Sequence, residues 1–229
     1  MDRKIGIICA GDTELEPFLE HIKDHTMAHH AMLTFHMGYI HDVPVIVLYS
    51  GVCKVNAAIA TQILIDTYHA DTIINAGTAG GMDESIQLFD TIVTAKAAYH
   101  DVADDILTEF HPWLPSIYFH SDSELISLME RIVAKTDYPI RFGTTVTGEQ
   151  FIADEKRAEI NGKYSPLSVD METASVAHVC HVNQVPFIAI RTITDTAAHS
   201  GMENFDKNCL QASMIAKEIT LLLLEEMKN

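Results

Sequence analysis

The sequence predicts a single α/β domain, a mixed central β-sheet with helices on both of its faces. Short apolar runs that read as buried strands alternate with longer stretches of helical periodicity, the order expected of a sheet covered on two sides. Two of the runs are separated by only two residues, which adds an antiparallel hairpin and makes the sheet mixed. The length of 229 residues suits one α/β core, and no linker, charge block or internal repeat divides the chain.

Lys4-Ile5-Gly6-Ile7-Ile8-Cys9-Ala10 is an apolar run that ends in Gly11-Asp12, hence a buried strand and a turn. Glu14, Leu15, Phe18, Leu19 and Ile22 follow at helical spacing, so a first helix is expected from near Thr13 to before His25, with Glu14 at the junction. Alternation over 32–40 and a solid apolar run over 43–49, joined by His41-Asp42, read as the hairpin. A helix is expected over 54–68, then a strand over 72–76 entering the turn Gly77-Thr78-Ala79-Gly80-Gly81. Further strands are expected over 90–97, 116–120, 141–147 and 186–194, and helices over 121–135, 154–161, 172–183 and 205–226. Residues 100–115, with Trp113 between two prolines, form the longest irregular stretch, the kind of loop that tends to face a ligand or partner.

Composition narrows the function. Apolar residues make up 48% and charged residues 21%, as in an ordinary folded protein, and the net charge of −17 argues against nucleic acid and against anionic membrane surfaces as partners. No run approaches the ~20 apolar residues of a membrane span. Cys9, Cys53, Cys180 and Cys209 are scattered without CxxC spacing, which suits reduced core thiols. Met1-Asp2-Arg3-Lys4 leads straight into a strand, so no leader is expected and the location reads as cytoplasmic.

Several groups could carry chemistry. Glu172 and Asp195 fall at the ends of apolar strands, where open α/β sheets place their ligands, although any one carboxylate at a helix start also has a purely structural reading. Gly77 to Gly81 lack the GxGxxG order and the lysine of a P-loop, which leaves a close-approach turn rather than a dinucleotide or ATP site. His178 and His181 share a helix face but have no third ligand or HExxH pattern, so neither a metal nor a cofactor is expected.

Val169-Asp170-Met171-Glu172-Thr173-Ala174 and Ile193-Thr194-Asp195 resemble the signature of the nucleoside phosphorylase and nucleosidase superfamily. The resemblance extends from Lys4 to the last helix. Asn75-Ala76-Gly77-Thr78-Ala79-Gly80-Gly81 looks like the Gly-Ser-Ala-Gly-Gly segment of its hydrolytic branch, and Ser50-Gly51-Val52-Cys53-Lys54-Val55 like a segment lining the sugar end of the pocket, with Cys53 in place of a glycine. The resemblance implies that Glu14 activates water, Glu172 and Met171 hold the ribose, and Asp195 protonates the leaving purine. It further implies that Val52, Thr78, Ala79 and Gly80 line the pocket, that Phe151 stacks on the base while the Ile152 backbone reads its edge, and that Phe205 lies near the 5′ end.

Where phosphorolytic relatives present arginines, this chain offers Glu14, Leu15 and Asn75, which implies water as nucleophile and a nucleosidase that releases adenine from 5′-thio nucleosides. The alternatives are a hydrolase of 6-amino-6-deoxyfutalosine, a purine nucleoside phosphorylase and a non-catalytic nucleoside-binding or storage relative. A homodimer is implied, the 100–115 loop closing the neighbour's pocket with Trp113, Leu114 and Pro115. The chain departs from the pattern at Gly11-Asp12-Thr13, where a Met-Glu-Glu-like lead is usual, and at Thr78, where a serine is usual.

Overall fold

The protein is described by a computed structural model over residues 3–152, 154–198 and 201–228; Met1 and Asp2, where the expectation of no leader begins, lie outside the described residues. Strands β1 (Ile5–Cys9), β4 (Val43–Tyr49), β5 (Thr72–Gly81) and β10 (Phe187–Asp195) run parallel, with β1 between β4 and β5 and β10 on the other side of β5. Beyond β4 lie β3 (Leu33–Ile40) and the edge strand β2 (Lys23–His30), both in antiparallel pairing. Beyond β10 come β6 (Thr91–Tyr99), β8 (Ile140–Thr147) and β9 (Ser168–Asp170), with the two-residue β7 (Phe119–His120) on β6. Because β9 pairs back onto β5, the strands β5, β10, β6, β8 and β9 close a ring from which β1, β4, β3 and β2 extend.

Both faces carry helices, as the alternation of elements predicts. Ile5, Ile7 and Cys9 of β1 pack with Leu15 and Phe18 of α1 (Asp12–Leu19), Met129 of α4 (Ser123–Val133) and Leu223 of α7 (Met202–Met227). Ile8 points the other way, into a second core with Ala57 and Leu64 of α2 (Lys54–Asp66) and Val176 and Cys180 of α6 (Thr173–Asn183). This period of two along β1 is what a strand buried on both faces requires. Two shorter helices, α3 (Asp104–Glu109) and α5 (Asp154–Tyr164), flank the ring.

The structure corrects the sequence reading in four places. The first helix ends at Leu19, and residues 23–30 form β2 instead; its polar, histidine-rich sequence has no apolar alternation because an edge strand on a solvated face needs none. The expected turn at Gly77 to Gly81 is the second half of β5, held extended by pairing with β10 and β9, so tertiary pairing overrides the local turn preference of the glycines. The stretch 100–115 contains α3. The three-residue β9, too short to show a period, went unforeseen.

Candidate active site

The parallel strands β1, β4, β5 and β10 all end on one side of the sheet, and three carboxylates collect there, each 5% exposed or less. Glu14 reaches back from the first turn of α1. Its Oε2 accepts the Ala10 N–H at 2.6 Å and the Gly11 N–H at 3.4 Å, while Oε1 accepts the Thr78 N–H at 2.7 Å and the Thr78 hydroxyl at 2.8 Å. Oε1 is therefore saturated, and Oε2, with one long bond, has capacity for a further donor such as water. Gly77 makes room for this carboxylate: a Cβ there would lie 2.5 Å from it.

Glu172 is positioned from three sides. The Cys53 N–H donates to Oε1 at 2.9 Å, Arg191 Nη2 to Oε2 at 3.1 Å, and the Glu172 backbone N–H is tied to Asp170 Oδ1 at 3.3 Å. Burial, opposed by the Arg191 guanidinium but reinforced by the Asp170 charge, pushes the Glu172 carboxyl up to about 7. A carboxyl poised there switches charge in the neutral range.

Asp170 and Arg191 form the layer beneath. Arg191 is 1% exposed, with Nε 3.2 Å from Asp170 Oδ2. Asp170 also accepts the Thr147 hydroxyl at 2.6 Å, the Thr173 N–H at 3.1 Å and the Thr173 hydroxyl. A buried arginine between two carboxylates is balanced only as a set. Asp170 stands in the segment Val169 to Ala174, but the sequence alone attaches no role to it or to Arg191; the available signal is an arginine inside the largely apolar start of β10, which burial obliges to find acids.

Asp195 ends β10 opposite Gly80, where an added Cβ would sit 3.1 Å from its Oδ2. The Thr194 hydroxyl donates to Asp195 Oδ1 at 2.9 Å and lies 3.3 Å from the Ala79 carbonyl oxygen. Burial raises the Asp195 carboxyl above its ordinary range, against the Thr194 hydrogen bond and the Arg157 charge. A raised carboxyl holds a proton to higher pH and so can deliver it.

Thus β5 brings Thr78, Ala79 and Gly80 between Glu14 and Asp195. Val52, more than half exposed, and Met171, half-buried, are chain neighbours of the Cys53 N–H and Glu172. Phe151, 38% exposed, and the buried Ile152 follow β8; the Ile152 side chain packs into a core with Met82, Val146 and Val169. Phe205 lies in the first turn of α7, half-buried, and Asn208 one turn later donates to the Thr194 carbonyl at 2.9 Å, fixing that turn beside Asp195. His178 stacks on Phe119 and pairs with the Tyr99 hydroxyl at 3.3 Å, a packing role. Among the described residues no group of three or more His, Cys, Asp or Glu is arranged to hold a metal, and no helix is long and apolar enough to cross a membrane.

The arrangement comprises one buried carboxylate able to take a water, one pushed up to about 7 beside an arginine, and one raised above its ordinary range by burial. Comparisons with known proteins show what the whole chain is similar to. The sequence model of the phosphorylase superfamily matches residues 4–225. The 5′-methylthioadenosine/S-adenosylhomocysteine nucleosidase of Bacillus subtilis is 37% identical over 227 residues, covering 96% of each chain. The S. pneumoniae nucleosidase of that name, solved with the transition-state inhibitor MT-ImmA, superposes with a TM-score of 0.90 at 28% identity over 98% of this chain and 99% of its own. The futalosine hydrolase of Helicobacter pylori gives a TM-score of 0.91 at 26% identity over 99% of both chains.

Proposed function

The chain belongs to the phosphorylase superfamily, and within it we propose the hydrolytic reading. It is an N-glycosyl hydrolase that cleaves 5′-methylthioadenosine and S-adenosylhomocysteine to release adenine. The observation that carries this reading is Glu14, a buried carboxylate with one oxygen open to a further donor. A phosphate dianion would meet it as a like charge, at a cost on the order of 1 kcal/mol in water and several in a protein-like medium for ~4 Å separation. A water would be oriented by it.

Breaking the bond builds positive charge on the ribosyl ring and negative charge on the base. Asp195 gives its proton to the imidazole nitrogen of the purine as the C1′–N9 bond breaks. Glu172, ionised, accepts the ribose hydroxyls and stabilises the oxocarbenium-like ring by its charge. Glu14 takes a proton from the water whose oxygen bonds to C1′. Met171, Phe151, the Ile152 backbone and Phe205 frame the ribose, the base and the 5′ group, with Val52, Thr78, Ala79 and Gly80 along the wall.

The active unit is a homodimer. On one side of the molecule α2 and its lead-in expose Val52, Val55 and Ile59; Ile106, Phe110 and Trp113 are exposed in the 100–115 segment. Apolar side chains of this number and size suit a second copy, with the exposed Trp113 and Pro115 closing the neighbour's pocket, whereas Leu114, expected to join them, is 6% exposed and packs in this chain's own core. Four unpaired thiols suit a reducing, cytoplasmic location. Light scattering at working concentration should give a dimer, and a monomer would remove this element.

The reaction is tested by mass spectrometry after incubation with methylthioadenosine, S-adenosylhomocysteine, adenosine and inosine, each with and without phosphate. Adenine with a free thio-ribose, independent of phosphate, is the expected result. A sugar phosphate would move the chain to the phosphorylases, and nucleoside binding without product would leave a binding or storage protein. Likeness to a futalosine hydrolase makes 6-amino-6-deoxyfutalosine the second reading, so that nucleoside belongs in the same panel.

A further inference from the structure

Lys54, the first residue of α2, commits each of its polar groups to a different segment. Its N–H donates to Glu149 Oε1 at 3.2 Å, and its carbonyl accepts the Ser175 hydroxyl at 2.7 Å. Its Nζ donates to both Asp101 oxygens, at 2.9 and 3.0 Å, and lies 5.3 Å from the centre of the Tyr99 ring. The triangle is closed by the Glu149 N–H, which donates to Asp101 Oδ2 at 2.9 Å.

These partners belong to separate segments of the chain. Glu149 precedes Phe151 and Ile152, Asp101 begins the 100–115 segment, and Ser175 lies in the first turn of α6 after Glu172. The preceding residue, Cys53, holds Glu172 itself. The N–H groups of residues 53 and 54 thus each capture a carboxylate at the start of a 13-residue helix, where the helix dipole favours negative charge. Lys54 adds the cation that lets Asp101 join them.

We propose that Lys54 is a positioning residue that locks the base-side loop 148–152 and the start of the 100–115 segment onto the ribose-side loop 50–53 before substrate arrives. In its kinetic part this rests on the nucleosidase reading. The side chains of Lys54 and Asp101 are 20% and 28% exposed, so the pair is neither fully solvated nor sealed in a core. Pairs of this kind add little to global stability. Their effect is local: a loop already held in its bound arrangement lowers the cost of binding. Burial alone would raise the Asp101 carboxyl, yet the hydrogen bonds from Lys54 and the Glu149 N–H hold it below its usual range.

Two measurements test it. By hydrogen–deuterium exchange on the substrate-free protein, Lys54→Met should speed exchange of amides in 148–152 and 101–109, with the β1 and β5 amides unchanged. In the adenine-release assay the same variant should raise KM for methylthioadenosine by about fivefold and leave kcat within about twofold, the signature of lost uniform binding. Salt raised from about 0.05 to about 0.5 M should raise KM of the wild type and leave the variant flat, since screening acts on the same ion pair. Lys54→Arg should restore KM. Asp101→Asn, which retains the lysine, should move KM and exchange in the same direction and decides the matter if Lys54→Met does not fold. Unchanged exchange in those loops, or a loss of kcat at constant KM, overturns the proposal. Wild-type protein that releases no adenine overturns the nucleosidase reading instead, and the exchange experiment still judges the lock.

Discussion

Replacing Cys53 by glycine should stabilise this protein without harming its chemistry. Cys53 has φ 81° and ψ 163°, a conformation that residues with a Cβ rarely adopt. It is held there because its N–H must meet Glu172 at 2.9 Å while the next residue starts α2. Backbone strain of this kind costs about 1–3 kcal/mol at a non-glycine residue. Glycine removes that strain but adds freedom to the unfolded chain, which costs about 0.5–1 kcal/mol. The half-buried thiol contributes little packing to lose. The net gain is about 1 kcal/mol, which for a chain of this size is a rise of about 2–4 °C in Tm. Thermal unfolding followed by circular dichroism, with Cys53→Ala as the control that keeps the strain, reads it directly. The Cys53→Gly variant should keep its kcat/KM, because the N–H to Glu172 is retained. A fall in Tm below that of Cys53→Ala would refute the argument that the geometry around Glu172 is maintained at the expense of backbone strain.

Other predictions follow from the three carboxylates. With Glu172 proposed to act ionised and its carboxyl pushed up to about 7, log kcat/KM should rise through an acidic limb near pH 7. The absence of any group titrating in that region would remove the assigned role. The same shift has a stability counterpart: a carboxyl raised from 4.5 to about 7 stabilises the fold fully below about pH 4.5 and loses that contribution as pH rises through 7. Urea unfolding of wild type and Glu172→Gln should therefore differ most above pH 7, with the variant gaining there relative to its standing at pH 5. Asp195→Asn should lower kcat by about two to four powers of ten while methylthioadenosine still binds by calorimetry; unchanged turnover would exclude it as the acid. Gly77→Ala places a methyl 2.5 Å from the Glu14 carboxylate and should displace it, lowering adenine release by at least about a hundredfold with a smaller change in KM. Full activity in that variant would show that the position of Glu14 is not critical.

The sequence by itself determined the layered α/β architecture, and its family resemblance pointed to the three acids. Buried strands such as Ile5–Cys9 and Phe187–Asp195 have apolar side chains on both faces, and that signal is local to the chain. Asp195 ends such a run, Glu172 follows the short β9 at the start of α6, and Glu14 lies in the first turn of α1. Only the tertiary structure decided where they meet. Gly77 to Gly81 read as a turn in isolation, and pairing with β10 makes them the strand against which Glu14 and Asp195 rest. The polar strand β2 and the three-residue β9 exist only because a neighbouring strand supplies their hydrogen bonds. Arg191 between Asp170 and Glu172, and Lys54 between Glu149 and Asp101, join residues 19 to 95 positions apart along the chain. Sequence periodicity reports which side of an element is buried, whereas electrostatic balance depends on distances between elements, and those are set when the ring of strands closes.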